Sequence, residues 1–386
     1  MTSRPADAPI DVLVLSSLPP ALGGGELQTM VQLKELVRRG HRVTAIDTRP
    51  RHDGPSEEDV DGVRVLRIRT PRAPVLRTIA FHTRLAGLVL RHGRRAGVAH
   101  VNHVGTALST AGPLLGLLSV PRLLCMWGSS APGVGPFGPG WRKAIARAAA
   151  RRCECTVGLA TASLRYLAEH GFDPARLRFI PNGIVVERFA ARETPRPEGW
   201  PPAGPVAVTV GRLVEAKGLD VLLAAWRKVR DRVPDAHLVL AGDGPLRAAL
   251  TEQAARLGLG GSVVFLGARR DVPDLLQRAD VYVSASRTEG MSNALLEALA
   301  SGCATVATRV GAAEDLIVDR ASGLLVPPGE VGPLSDALVE LLLQDELRVR
   351  LGAAARRRAR DEFSIESVVA RYEDTYRELM RPPRPA

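Results

Sequence analysis

Two carboxylates, Glu289 and Glu297, frame the segment Glu289-Gly290-Met291-Ser292-Asn293-Ala294-Leu295-Leu296-Glu297, with seven residues between them. Gly290 and the Ser292-Asn293 pair read as a loop that runs into a helix start. The first Glu is therefore expected in a loop and the second about one turn inside a helix. The peptide N–H groups between them form an anion site at a helix N-terminus. Amides flanked by carboxylates suit a phosphorylated sugar: the amides take phosphate, and the carboxylates accept hydrogen bonds from hydroxyls.

A second group of charges lies in Val210-Gly211-Arg212-Leu213-Val214-Glu215-Ala216-Lys217-Gly218. Arg212 offers a planar fork and Lys217 a point charge, directly after an expected strand, and together they can neutralise a diphosphate. Ala241-Gly242-Asp243-Gly244-Pro245 ends the next expected strand in a Gly-rich turn on the same side. Near the start of the chain, Gly23-Gly24-Gly25 precedes a helix and allows close backbone approach to a ligand. The spacing is not G-x-G-x-x-G, so a dinucleotide fingerprint is unsupported. The D-x-D motif Asp59-Val60-Asp61 sits in an acidic run before a strand and reads as a solvated turn rather than a metal site.

The elements that must hold these residues alternate. Short β-branched runs such as Val12–Ser16, Val43–Ile46 and His100–Asn102 are separated by helical patterns such as Glu26–Arg39 and Ala162–His170. The pattern restarts after 191–205, a Pro- and Gly-rich stretch read as a linker, with strands expected at Val206–Val210, His237–Leu240 and Val281–Val283. The expected organisation is α/β: a first Rossmann-like domain over 1–190, the linker, a second over 206–363, and a last helix within 364–386 that returns to the first.

Composition bounds the setting. The chain has 386 residues and four Cys without zinc or redox spacing, which fits a reducing cytosol. The polar Met1-Thr2-Ser3-Arg4-Pro5 does not read as a signal peptide, and no apolar run is long enough to span a bilayer. Residues 1–190 hold 26 Lys and Arg against 14 Asp and Glu, whereas 191–386 hold 26 against 27. The positive excess thus lies in the first half, with Arg64, Arg67, Arg69, Arg72, Arg77, Arg84, Arg91, Arg94 and Arg95 at its densest. That suits an anionic acceptor or membrane surface. Aromatic residues are 4% and no recognition motif is present, which argues against nucleic acid.

In order and spacing, Pro181-Asn182-Gly183, Gly211-Arg212-x4-Lys217-Gly218, Gly242-Asp243-Gly244-Pro245 and Glu289-x7-Glu297 closely resemble the retaining glycosyltransferases of family 4, also called group 1. Gly23-Gly24-x-Glu26 and Gly40-His41-Arg42-Val43 match more loosely. The resemblance covers nearly the whole chain and implies the GT-B fold of two facing Rossmann-like domains. It implies catalytic roles for Arg212 and Lys217 on the donor diphosphate and for Glu289 on the donor sugar. It implies donor binding by Gly23, Gly24, Gly211, Gly242, Gly290, Met291, Ser292 and Asn293, the ribose on Glu297, and the nucleobase beside Arg270-Asp271-Val272.

Two departures stand out. Trp127-Gly128 occupies the place of the family's frequent His-Gly, which brings His100, His103 and Trp127 forward as acceptor-side candidates, and Val185 replaces a frequent Asp. The implied activity is retaining transfer from a nucleotide diphosphate sugar, a UDP-sugar in preference to a GDP-sugar, to an acceptor hydroxyl of a glycan, a lipid-linked intermediate or a natural product. No cofactor and no metal are expected, and the expected location is cytoplasmic, with peripheral contact at the inner membrane face. The competing readings are a nucleotide-sugar epimerase or hydrolase of the same fold, a nicotinamide oxidoreductase, and a non-catalytic sugar-nucleotide binder.

Overall fold

The computed structural model describes residues 8–19, 24–102, 105–126, 141–190 and 196–381. The chain divides into two compact units, Met1–Gly183 with Ile365–Ala386, and Ile184–Ser364.

The first unit runs β1 (Asp11–Ser16), α1 (Gly24–Arg38), β2 (Arg42–Arg51), β3 (Glu57–Val60), β4 (Val63–Arg69), α2 (Pro74–Gly93), β5 (Val98–Asn102), α3 (Thr106–Leu117), β6 (Arg122–Met126), α4 (Trp141–Arg151), β7 (Cys155–Gly158), α5 (Thr161–Glu169) and β8 (Leu177–Phe179). Its sheet has the order β3-β4-β2-β1-β5-β6-β7-β8. All neighbours are parallel except β3 with β4, as expected of strands joined through helices. Leu13, Leu15, Ile46, Leu85, Val101 and Leu115 make one core beneath α2 and α3.

β3 is a strand that the sequence reading leaves out. Its hairpin closes through Asp61 (φ 53°) and Gly62 (φ 81°), the two left-handed residues a tight two-residue turn demands. Asp59 Oδ1 accepts the Gly62 N–H at 2.9 Å, and Asp61 pairs with Lys34 at 2.6 Å. The D-x-D carboxylates therefore serve a turn and a surface ion pair.

The second unit runs β9 (Val206–Val210), α6 (Leu219–Arg232), β10 (His237–Ala241), α7 (Arg247–Arg256), β11 (Val263–Gly267), α8 (Val272–Arg278), β12 (Val281–Ser284), α9 (Asn293–Ser301), β13 (Ala304–Thr308), α10 (Ala313–Leu316), β14 (Leu324–Val326), α11 (Val331–Leu343) and α12 (Asp345–Phe363). The strand order β11-β10-β9-β12-β13-β14 is the doubly wound arrangement, with its reversal between β9 and β12. Trp226, Leu222, Leu240, Val283 and Leu338 form its core.

The unit boundary falls at Gly183–Ile184, ahead of the Pro-rich 191–205 segment expected as a linker. Packing explains the position: Phe189 is buried, Gln277 Nε2 on α8 donates to Ala190 O at 2.7 Å, and Pro197 and Pro201 are buried. Residues 191–195 lie outside the described residues.

After α12 the chain returns to the first unit as α13 (Ile365–Met380), whose Val368, Val369, Tyr372 and Tyr376 are fully buried there.

Candidate functional site

In the second unit the sequence-singled residues gather at the carboxyl ends of β9, β10 and β12, where an open α/β sheet places its ligand crevice. Gly211 and Arg212 follow β9 directly. The turn after them is tied to its neighbour, since Gly211 N–H donates to Ala241 O at 3.0 Å and Leu213 N–H to Asp243 O at 2.9 Å. Gly242 follows β10 directly and still bridges to Gly267 at the end of β11. Arg212 is exposed, and Lys217 ends a single 3-10 turn over Glu215–Lys217.

That turn is also riveted to the loop after β12. Gly218 takes φ 58° and abuts Ala285, where a Cβ would lie 2.1 Å from the carbonyl oxygen. The N–H of Arg287 donates to Ala216 O at 2.8 Å, and the Arg287 guanidinium grips Asp220 with two 2.6 Å bonds. This bidentate pair holds the Asp220 carboxyl below its usual value, and no local sequence pattern announces it because its members stand 67 residues apart.

The loop brings Glu289 onto Lys217. Lys217 Nζ donates to Glu289 Oε2, with both side chains about three-quarters covered. Ser286 Oγ approaches the same oxygen at 3.4 Å. From the other side, Gly311 (φ 56°) packs on the Glu289 and Gly290 carbonyls, and Ala312 N–H donates to Gly290 O at 2.9 Å. Next, Ser292 caps α9, its Oγ accepting from Leu295 N at 3.3 Å. Gly290, Met291, Ser292 and Asn293 therefore lead into the helix N-terminus as the spacing predicts.

Glu297 lies on the second turn of α9. Burial pushes its carboxyl up to about 7, and Arg188 opposes that rise. Tyr282 on β12 escapes sequence reading: it is fully buried and lines a small cavity with Thr209, Arg212, Lys217 and Ser286. Burial raises its hydroxyl well above the usual value, helped by Glu289 and Glu297, while a hydrogen bond with Ser292 opposes the rise. A Tyr inside the apolar run Val281-Tyr282-Val283 is the signal that a buried hydroxyl needs a partner there. Val272 opens α8, and Asp271 beside it is paired with Arg269 at 2.5 Å.

In the first unit Gly24 begins α1. His100 on β5 has no surface to offer an acceptor: it is 3% exposed, bonded through Nδ1 to the Tyr376 hydroxyl at 2.6 Å and stacked on Tyr372. Burial lowers its pKa to about 4, so it stays neutral. Gly23, His103 and Trp127 lie outside the described residues. Among the described residues, no group of three His, Cys, Asp or Glu is placed to hold a metal ion.

The family model of glycosyl transferases group 1 matches residues 191–358, and that of the glycosyl transferase 4-like domain matches 23–183. A GDP-mannose-dependent alpha-(1-6)-phosphatidylinositol monomannoside mannosyltransferase of Mycolicibacterium smegmatis is 30% identical, over 93% of this chain and 96% of its own. A GDP-mannose-dependent alpha-mannosyltransferase of Mycobacterium tuberculosis is 32% identical, over 89% and 90%. Among solved structures, Anabaena Alr3699/HepE in complex with UDP superposes with a TM-score of 0.77 at 19% identity, covering 96% of this chain and all of that one. Sucrose-phosphate synthase from Thermosynechococcus elongatus gives 0.76 at 21%, over 96% and 99%. The α/β class with two Rossmann-like sheets, GT-B, is thus the fold of this chain.

Proposed function

The chain belongs to the glycosyl transferases group 1 family and is a glycosyltransferase, and from that premise we propose that it transfers a mannosyl group from GDP-mannose to an acceptor hydroxyl, with retention and without a metal ion. The observation that carries the donor site is the convergence of Arg212, Lys217, Glu289 and the α9 N-terminus at the ends of β9 and β12. Sequence alone prefers a UDP-sugar. The relatives that align with nearly the whole chain are named for GDP-mannose, which supports a guanosine donor in this reading.

In this reading the anomeric C–O bond to the diphosphate breaks and a new C–O bond to the acceptor forms on the same face. The acceptor's proton passes to the departing phosphate oxygen. Negative charge grows on the diphosphate, and Arg212, Lys217 and the helix amides stabilise it. Glu289 accepts from sugar hydroxyls and Glu297 from ribose hydroxyls.

The acceptor belongs to an anionic membrane surface, which places the protein peripherally at the cytoplasmic face. Support comes from α2. Its Phe81, Leu85 and Val89 enter the core, whereas Val75, Leu76 and Ile79 are 72%, 57% and 56% exposed, beside Arg72 and Arg77. An apolar, basic helix tip suits the interface of an anionic bilayer. Among the described residues, no helix is long and apolar enough to cross a membrane.

The test is thermal shift with GDP, UDP and ADP, followed by product analysis with GDP-mannose and a lipid extract. A shift with GDP and a lipid product heavier by one hexose are expected. A larger shift with UDP would return the donor to a UDP-sugar. Absence of any nucleotide shift would overturn the donor site, and donor turnover without acceptor modification would favour a hydrolase or epimerase.

A further inference from the structure

The pairing of Lys217 with Glu289 sets two demands on one ammonium. A phosphate held by Lys217 would lie beside the carboxylate that already accepts its hydrogen bond, and two like charges at that range repel. The backbone leaves little room to avoid the conflict. On one side, Lys217's turn is fixed by Gly218 against Ala285 and by the Arg287 N–H on Ala216 O; on the other, Glu289's loop is fixed by Gly311 and Ala312. What remains adjustable is the pair of side chains, each about one-fifth exposed.

We infer that Glu289 acts as an internal surrogate for the donor's diphosphate, holding Lys217 until the donor displaces it, and thereby discriminates the intact sugar donor from the free nucleoside diphosphate. The inference rests on the donor-site reading above. With the intact donor, the displaced carboxylate gains sugar hydroxyls as new partners, so the exchange of Lys217 is compensated. With the free nucleoside diphosphate no hydroxyl replaces the lysine, and Glu289 is left as an uncompensated anion beside a polyanion. The same carboxylate that orients the sugar thus weakens retention of the leaving product. Differential stabilisation of this kind raises turnover where equal tightening of substrate and product does not. Ser286 Oγ, at 3.4 Å from Glu289 Oε2, lies within reach of that oxygen as it leaves Lys217.

Calorimetric titration of GDP and GDP-mannose into the full chain tests this, using wild type, Glu289→Gln, Lys217→Met and the double variant, each checked for a native melting transition. Glu289→Gln should bind GDP about five- to tenfold more tightly and lose most of the preference for GDP-mannose over GDP. In the Lys217→Met background the same change should tighten GDP clearly less, because the contested ammonium is gone. Unchanged or weaker GDP binding by Glu289→Gln would overturn the inference, since Glu289 would then merely orient Lys217. Equal tightening in both backgrounds would also overturn it and leave simple repulsion. Wild-type GDP affinity in Lys217→Met would instead remove the donor-site reading, a result separate from either.

Discussion

His41 and Glu373 stand 332 residues apart in the chain and 2.5 Å apart in the first unit. The Ile10 N–H donates to His41 Nδ1, so the ring's proton sits on Nε2 and is donated to Glu373 Oε1. Arg39 takes Glu373 Oε2 at 2.6 Å. Burial raises the Glu373 carboxyl, but the Arg39 and His41 hydrogen bonds outweigh it and leave the pKa below its ordinary 4.5.

Glu373→Gln should therefore cost the first unit roughly 2 kcal/mol at pH 7. A depressed carboxylate stabilises above its unfolded pKa and loses that contribution as pH falls through the folded value. Urea unfolding of wild type and variant should differ fully above about pH 5 and converge towards pH 3. A gap independent of pH would contradict the ion pair as its source.

Arg212→Ala and Lys217→Ala should each lower turnover about a hundredfold, the scale of removing one charge aimed at a leaving group. With cations in the metal's place, activity should survive excess EDTA. Near-normal rates in both variants, or complete loss on chelation restored by magnesium or manganese, would refute the assignment.

Glu297 gives a pH signature. Its folded pKa of about 7 lies above the ordinary 4.5, so the neutral form's stabilisation is complete below 4.5 and lost as pH rises through 7. The charged form is the ribose acceptor. GDP-mannose affinity should rise about tenfold from pH 6 to pH 8, and Glu297→Gln should bind weakly with a flat profile. The intact donor is the right probe because its diphosphate, capped at both ends, lacks the second phosphate ionisation near 6. Glu297→Gln should also be more stable than wild type at pH 8.

The exposed tip of α2 is tested by Leu76→Asp with Ile79→Asp. Both positions are outside the core, so the fold should hold while sedimentation with anionic vesicles falls about tenfold. Salt should weaken wild-type binding, and neutral vesicles should bind little. Equal binding by the variant would move the membrane contact elsewhere.

The parallel sheets were legible because their β-branched runs alternate with helical ones, and the Gly-rich turns marked the strand ends. Long-range pairing was not legible: nothing local announces that Arg287 meets Asp220 or that Lys217 meets Glu289. β3 was hidden by its acidic composition, which cross-strand arginines offset, with Glu57 on Arg64 and Glu58 on Arg67. The nineteen-residue α12 was hidden because its buried stripe runs from Leu351 to Phe363 through the small residues Gly352, Ala355 and Ala359, amid arginines. His100 was drawn towards the site by residue type, whereas its strand position turns it under Tyr376.

The return of α13 to the first unit sets the order in which the protein can be completed during synthesis. Domains generally fold as units as they leave the ribosome, N-terminal first. Here the earlier-made unit lacks the buried faces of Tyr372 and Tyr376 and the carboxylate of Glu373 until translation has passed the whole of the later one. Ile184–Ser364 is contiguous and closes on itself, Ile184 N–H donating to Phe363 O at 2.8 Å. The core of the first half, with the burial of His100 and His41, thus depends on a helix that the chain supplies only after all of its second half.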